Sequence, residues 1–169
     1  MDADFLLIQK MRMGDDRAVE SFVRKYYPRI LKYCRQHMDD YGYAEDITQE
    51  TFVRFFRTLS RYRHYGKASN YLYTIAANLC RDYYRRMKEI PIKELAEEAD
   101  AHTQNIERQV EVRLALASLP EEIREAAVLY FLQERKQKDI ARILGISLSL
   151  VKYRIKRARE MLSEYFGEG

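Results

Sequence analysis

Gln137-Lys138-Asp139-Ile140-Ala141-Arg142-Ile143-Leu144-Gly145-Ile146-Ser147 is the stretch on which the fold of this chain turns. Ile140, Ile143 and Leu144 stand at i, i+3 and i+4, the spacing of one helix face. Gly145 follows at once. Glycine enters the left-handed backbone region without a Cβ penalty, so it can end a helix tightly. Ser147 or Ser149 then offers an oxygen to cap a second helix. That second helix places Leu148, Val151, Ile155, Ala158 and Leu162 on one face, and Ala141 is small where the two helices would cross. Lys152, Tyr153, Lys156 and Arg157 stand on the opposite face.

Two short helices packed across such a turn form a helix-turn-helix. Its second helix enters the DNA major groove, with cations on phosphates and selected side chains on base edges. The competing reading is a helical hairpin with a solvated basic face. Charge density favours DNA, because Arg135–Arg159 holds 9 basic residues against one acid, Asp139. Upstream, Leu114, Leu116, Leu119, Val128, Leu129 and Phe131 are expected to supply a helical core. Pro120-Glu121-Glu122 suits a first helical turn, with proline at its start and acids at the positive end of the dipole. A four-helix module is the expected result.

The rest of the chain fits the same class. The chain has 169 residues, with 6 Gly and 3 Pro, too few turn formers for a many-stranded sandwich or barrel. The long stretches are rich in Leu, Ile, Arg, Lys, Glu and Ala, which predicts an all-α protein. Two cysteines, Cys34 and Cys80, and 3 His leave little material for a disulfide or metal scaffold. Lone thiols suit a reducing cytoplasm. No apolar run reaches membrane-spanning length. Met1-Asp2-Ala3-Asp4 is acidic where an export signal would be basic, so a cytoplasmic location is expected.

The net charge of +4 conceals a pattern. Residues 1–86 sum to +5, residues 87–109 to −3 and residues 110–169 to +2. The acidic stretch contains Pro91, lacks large aromatics and loses helical periodicity around residues 90–103. It reads as a linker, helical towards its end, between an N-terminal domain (1–86) and a C-terminal domain (110–169). A solvated surface helix within one domain is the alternative.

In the N-terminal block, residues 44–59 place Ile47, Phe52, Phe55, Phe56 and Leu59 within one half of a helical wheel. The other half carries Asp46, Gln49, Glu50, Arg57 and, out of place, Val53. An apolar residue ringed by acid, amide and base has the make-up of a protein-docking patch, although lone exposed valines are common. The next helix, 70–86, is expected to bury Leu72, Ile75, Ala76, Leu79 and Tyr83. Its far face would show Thr74, Asn78, Arg81 and Arg85, with Tyr84 at the margin. Between the two helices, Arg61-Tyr62-Arg63-His64-Tyr65-Gly66-Lys67 interleaves tyrosines with cations, as a single-stranded nucleic-acid surface requires. Tyr62 and Tyr65 could equally cover the core beneath a loop.

These residues resemble the extracytoplasmic-function sigma factors, the smallest group of bacterial RNA polymerase sigma subunits. The resemblance covers nearly the whole chain. It begins with Gly14-Asp15-Asp16-Arg17-Ala18 leading to Phe22 and Tyr26. It continues through Ala44-Glu45-Asp46-Ile47-Thr48-Gln49-Glu50-Thr51-Phe52, then Tyr71-Leu72-Tyr73-Thr74-Ile75-Ala76-Ala77-Asn78-Leu79 and Asp82-Tyr83. Leu119-Pro120, Arg124, Asp139-Ile140-Ala141, Leu144-Gly145-Ile146-Ser147, Val151-Lys152-Tyr153-Arg154 and Arg157-Ala158-Arg159 complete it.

The resemblance implies roles. The Asp46, Gln49, Glu50, Val53 and Arg57 face would dock on the clamp helices of the largest polymerase subunit. The 61–69 loop, with Tyr62, Arg63, Tyr65 and Lys67, and the helix face of Thr74, Asn78, Arg81 and Arg85 would capture the promoter's minus-ten element, duplex and then melted, around a flipped base. Lys152, Tyr153, Lys156 and Arg157 would read the minus-thirty-five element. The acidic linker would thread towards the RNA exit path. An anti-sigma factor, soluble or membrane-bound, would wedge between the domains. Three positions depart from the family pattern. Tyr71 stands where Trp is usual and has a hydroxyl that needs a partner. Leu150 replaces a usual Thr, which shifts capping to Ser147 or Ser149. Gln137 replaces a frequent aromatic.

The reading is therefore an alternative sigma factor that binds core RNA polymerase, directs it to specific promoters and assists melting, without cofactor or metal. A stand-alone helix-turn-helix regulator would leave the Asp46–Arg57 face and the tyrosine loop without work. An all-helical enzyme lacks support. Cys34 and His37 gather no further ligands, and no phosphate loop, nucleophile elbow or paired-carboxylate motif is evident.

Overall fold

The computed structural model describes residues 3–38, 41–63, 67–87 and 105–167, and all regular structure among them is helical. The chain divides into two compact units, Met1–Tyr84 and Arg85–Gly169.

The N-terminal unit contains α1 (Ala3–Arg12), α2 (Asp16–His37), α3 (Tyr41–Arg57) and α4 (Ala68–Met87), the last running three residues past the unit's boundary. The α1–α2 connection follows from two residues. Gly14 takes φ +85°, and the Asp15 N–H then donates back to the Lys10 carbonyl at 3.0 Å. The Asp15 carboxylate caps α2 by accepting from the N–H groups of Arg17 and Ala18 at 3.0 and 3.4 Å. Pro28 lies inside α2 on its exposed side, where a lost backbone bond is least costly.

The core is aromatic. Phe22 is fully buried, stacked on Phe55 at 4.9 Å and flanked by Tyr26 at 5.0 Å, Phe56 at 6.3 Å and Phe52 at 6.4 Å. Asp4, buried beside it, accepts from Lys25 Nζ at 2.8 Å and from the Tyr26 hydroxyl. The wheel of α3 omitted two polar core residues, Thr48 and Thr51. Their hydroxyls donate 2.7 Å bonds to the carbonyls of Ala44 and Ile47, so both side chains enter the core with their polar atoms satisfied.

The register of α4 also differs from expectation. Leu72 and Ala76 are buried as expected, but Tyr73, Ala77 and Cys80 complete the face, while Ile75, Leu79 and Tyr83 are half-buried. Contacts with α2 fix this rotation. Tyr73 meets Tyr33 edge-on at 5.3 Å, and Cys80 hydrogen-bonds Cys34. That bond holds the Cys34 thiol below the usual thiol range, with burial opposing and a bond to Thr48 assisting.

The C-terminal unit contains α5 (Asn105–Ala117), α6 (Glu121–Ala127), α7 (Gln137–Leu144) and α8 (Leu148–Tyr165). Pro120 sits just outside α6, and its carbonyl accepts the Arg124 N–H at 2.8 Å. A π-helical turn, Val128–Leu132, continues α6, and Gln133 N–H closes it on the Val128 carbonyl at 3.0 Å. Leu116, Leu119, Val128 and Leu129 are buried together with Ile140, Ile143, Val151, Ile155 and Ala158.

Two expected core residues are not in it. Leu114 is 56% exposed, because Ala115, Leu116 and Leu119 define the buried side of the α5 end and leave Leu114 a step outside it. Phe131, 37% exposed, lies in the widened turn, which rotates it outward against Tyr130 (5.0 Å) and beneath the Arg159 guanidinium (5.6 Å).

Candidate protein-docking and nucleic-acid interfaces

The α7–α8 turn is built as its residue types dictate. Gly145 has φ +66° and ψ +37°, its N–H donates to the Ala141 carbonyl, and Ile146 N–H shares that acceptor at 3.0 Å. Ser147 rather than Ser149 caps α8, its hydroxyl accepting the Leu150 N–H at 3.2 Å. With the start of α8 so fixed, Val151, Ile155 and Ala158 face the core and Lys152, Tyr153, Lys156 and Arg157 are exposed, Tyr153 to 59%.

The basic residues of this region divide by task. Arg135 pairs with Asp139 at 3.9 Å, Arg154 with Glu122 at 3.5 Å, and Arg159 donates to the Tyr130 hydroxyl at 3.3 Å while lying over its ring. These three brace the unit internally. Arg157, by contrast, is exposed and bonded at 2.9 Å to Glu160, which raises its pKa further above the range where any arginine is already a cation. Its carboxylate partner lies one turn on, so the guanidinium can be exchanged onto a phosphate or base edge at little cost.

On α3, Asp46, Gln49, Val53 and Arg57 are exposed and Glu50 is half-buried, where it pairs with Arg54 at 3.1 Å. Val53 is 41% exposed while its neighbours Phe52 and Phe55 are buried. An apolar side chain therefore stands at the centre of a polar helix face.

The segment after α3 combines both readings of its tyrosines. Tyr62 is half-buried, stacked on Tyr71 at 5.1 Å and packed on Phe55 at 5.5 Å, so this ring covers the core. Arg61, Arg63 and Lys67 are exposed. Tyr65 lies outside the described residues. Ala68 and Ser69, counted with the loop above, belong to the first turn of α4. Tyr71, in the position where the family pattern has Trp, finds its hydroxyl partner in Thr58 Oγ1 at 3.1 Å. On the far face of α4, Asn78 and Arg85 are exposed and Thr74 and Arg81 half-buried. Thr74 donates to the Asn70 carbonyl at 2.8 Å, and Arg81 donates to the Asn78 side-chain oxygen at 3.0 Å.

Two contributors carried no local signal. Arg12 reaches from α1 to the carbonyls of Leu59 and Tyr62, a separation of 47 and 50 residues, and Thr58 meets Tyr71 across 13. Cys34 and His37 are both buried in α2, and among the described residues no three His, Cys, Asp or Glu side chains gather as a metal site would need. Among the same residues, no helix is long and apolar enough to cross a membrane.

A chain whose described residues form helices in two units, one with an exposed valine on a polar helix face and a tyrosine–cation segment and the other with a helix-turn-helix, has the architecture of a two-domain sigma subunit. Residues 22–89 match the family Sigma-70 region 2, and residues 109–162 match Sigma-70, region 4. The sigma factor YlaC of Bacillus subtilis is 30% identical, over 84% of this chain and 88% of its own length. The ECF sigma factor SigE of Mycolicibacterium smegmatis is 33% identical over 92% of this chain, which spans 65% of that relative's length. Among solved structures, CnrH, captured with the cytosolic domain of CnrY, superposes with a TM-score of 0.82 at 25% identity, covering 98% of both chains. The chain belongs to the extracytoplasmic-function group of RNA polymerase sigma factors.

Proposed function

We propose that this chain is an alternative sigma factor that binds core RNA polymerase through α3, brings it to specific promoters and assists their melting. Asp46, Gln49, Glu50, Val53 and Arg57 form the polymerase-docking face, set on the clamp helices of the largest subunit. Tyr62, Arg63, Tyr65 and Lys67, with Thr74, Asn78, Arg81 and Arg85, take the minus-ten element as it opens. There the cations follow the backbone, and polar and aromatic groups offset the unstacking of a base. Lys152, Tyr153, Lys156 and Arg157 read the minus-thirty-five element from the major groove.

Residues 1–86 and 110–169 act as the two reading domains, with 87–109 as an acidic tether between them. The chain works in the cytoplasm by binding and positioning, with no chemistry of its own. CnrH bound to the cytosolic domain of a second protein supports a protein partner for this chain too, and the family resemblance makes an anti-sigma factor that partner.

The observation that carries the reading is the division of α8: Val151, Ile155 and Ala158 buried, Lys152, Tyr153, Lys156 and Arg157 exposed. A hairpin needs the first set. A polyanionic partner gives work to the second, which a solvated hairpin leaves idle. The test is to mix the chain with bacterial core polymerase and a library of promoter fragments and sequence the transcripts. Initiation from a subset of fragments sharing two spaced elements is expected. No core binding and no specific start sites would sink the reading.

A further inference from the structure

The turn that leaves α3 is tied to a helix distant in sequence. Arg12, the last residue of α1, donates from Nε to the Leu59 carbonyl at 3.1 Å and from Nη2 to the Tyr62 carbonyl. Between those carbonyls the backbone makes successive tight turns: Arg61 N–H bonds the Thr58 carbonyl at 3.0 Å and Tyr62 N–H the Leu59 carbonyl at 3.3 Å. Leu59 lies two residues past the end of α3, near the negative end of its dipole, where a cation is favoured, and the Tyr62 carbonyl adds a second acceptor. A guanidinium adds geometry to charge. Its planar fork holds two oxygens at a set separation, which a lysine ammonium on a flexible stem does not. The same turn is gripped from the other side by Tyr71, stacked on Tyr62 and bonded to Thr58.

We infer that Arg12 is a positioning residue for minus-ten capture. It fixes the direction in which the chain leaves α3, and so the place from which the exposed Arg61 and Arg63 project. It needs no contact with DNA to do so. The inference rests on the reading that the segment after α3 takes up promoter DNA. The rival account makes the exposed Arg12 a phosphate contact itself.

The test uses the full chain assembled with core polymerase, and anisotropy on two single-stranded oligonucleotides. One carries the minus-ten sequence recovered from the promoter library; the other is its scrambled version. Arg12→Ala is expected to lower the specific-to-scrambled affinity ratio about tenfold, with the salt slope unchanged. Arg12→Lys is expected to leave the ratio low, because it restores charge without the fork. Its unfolding midpoint and helicity report whether the unit is intact, so it carries the test if Arg12→Ala does not fold.

Recovery of the ratio by Arg12→Lys overturns the inference. So does an Arg12→Ala that weakens both oligonucleotides equally with a shallower salt slope, which is a phosphate contact. The double variant Arg63→Ala, Lys67→Ala separates the two layers of the argument. If it weakens binding while Arg12→Ala matches wild type, only the Arg12 inference falls. If it leaves both oligonucleotides bound as before, the loop reading and the inference fall together.

Discussion

In the C-terminal unit the proposed DNA-reading surface is one helix, α8, and two residues of the turn before it set its register: Gly145 by its left-handed backbone and Ser147 by its cap. In the N-terminal unit the corresponding surface lies where α3 ends and α4 begins. Residues from two helices and the turn after α3 hold it, Arg12 on α1, Thr58 and Tyr62 in the turn, and Tyr71 on α4. The first surface is determined locally and the second by tertiary contact. A helix that reads duplex DNA needs only the right rotation about its axis. A segment that takes up an opening strand needs a shaped base, and a turn alone does not supply one.

The largest effect is expected in the N-terminal core. Phe22 touches four rings from α2 and α3, and Phe22→Ala is expected to cost about 3–5 kcal/mol, as for other buried phenylalanines. Because α3 carries the proposed docking face and leads into the proposed minus-ten loop, core binding and minus-ten capture should fall together in denaturant melts and binding assays. A variant that loses one and keeps the other would show the two surfaces to be independently held.

Next in size is Arg157→Ala, expected to weaken binding to the upstream element by about 1–3 kcal/mol while leaving other sequences unaffected if it reads a base. Uniform weakening with a shallower salt slope would move it to the phosphate class.

Gly145→Ala tests the local side of the contrast. A Cβ there meets nothing within 4 Å, so the cost is backbone strain alone, about 1–2 kcal/mol. Upstream-element binding should weaken and core binding should not change; a change in core binding would contradict the local account. The smallest effect is Tyr71→Phe, which keeps the ring stack and removes only the bond to Thr58. It should cost about 0.5–1.5 kcal/mol in stability, with a larger proportional loss in minus-ten discrimination than in core affinity.

What could be read in the sequence follows the same division. Gly145, Ser147 and the i, i+3, i+4 spacing around them specify α7 and α8 within some twenty residues, and the exposed quartet of α8 stands where the spacing put it. Charge alone could not say that Arg154 and Arg159 brace their own unit while Lys152, Lys156 and Arg157 face outward, since the partners Glu122 and Tyr130 lie elsewhere in the chain; Arg135 has its partner, Asp139, one turn on. On α4, Leu72 and Ala76 fit two neighbouring rotations, and Tyr33 and Cys34 on α2 choose between them. Leu114 looked like core because leucine usually is; its exposure depends on which side Ala115 and Leu116 take. Arg12 had no signal at all, because its two acceptors are backbone atoms.

Docking on polymerase and reading of the upstream element are proposed to belong to separate faces on separate units. Core-polymerase affinity of Val53→Lys, measured beside Lys156→Ala and with helicity checked in each, tests this separation most directly. Val53→Lys, which puts a charge at the centre of the proposed docking face, is expected to lower core affinity by at least about 2 kcal/mol with the fold intact, and Lys156→Ala to leave core affinity unchanged. Core binding by folded Val53→Lys at wild-type affinity would contradict it.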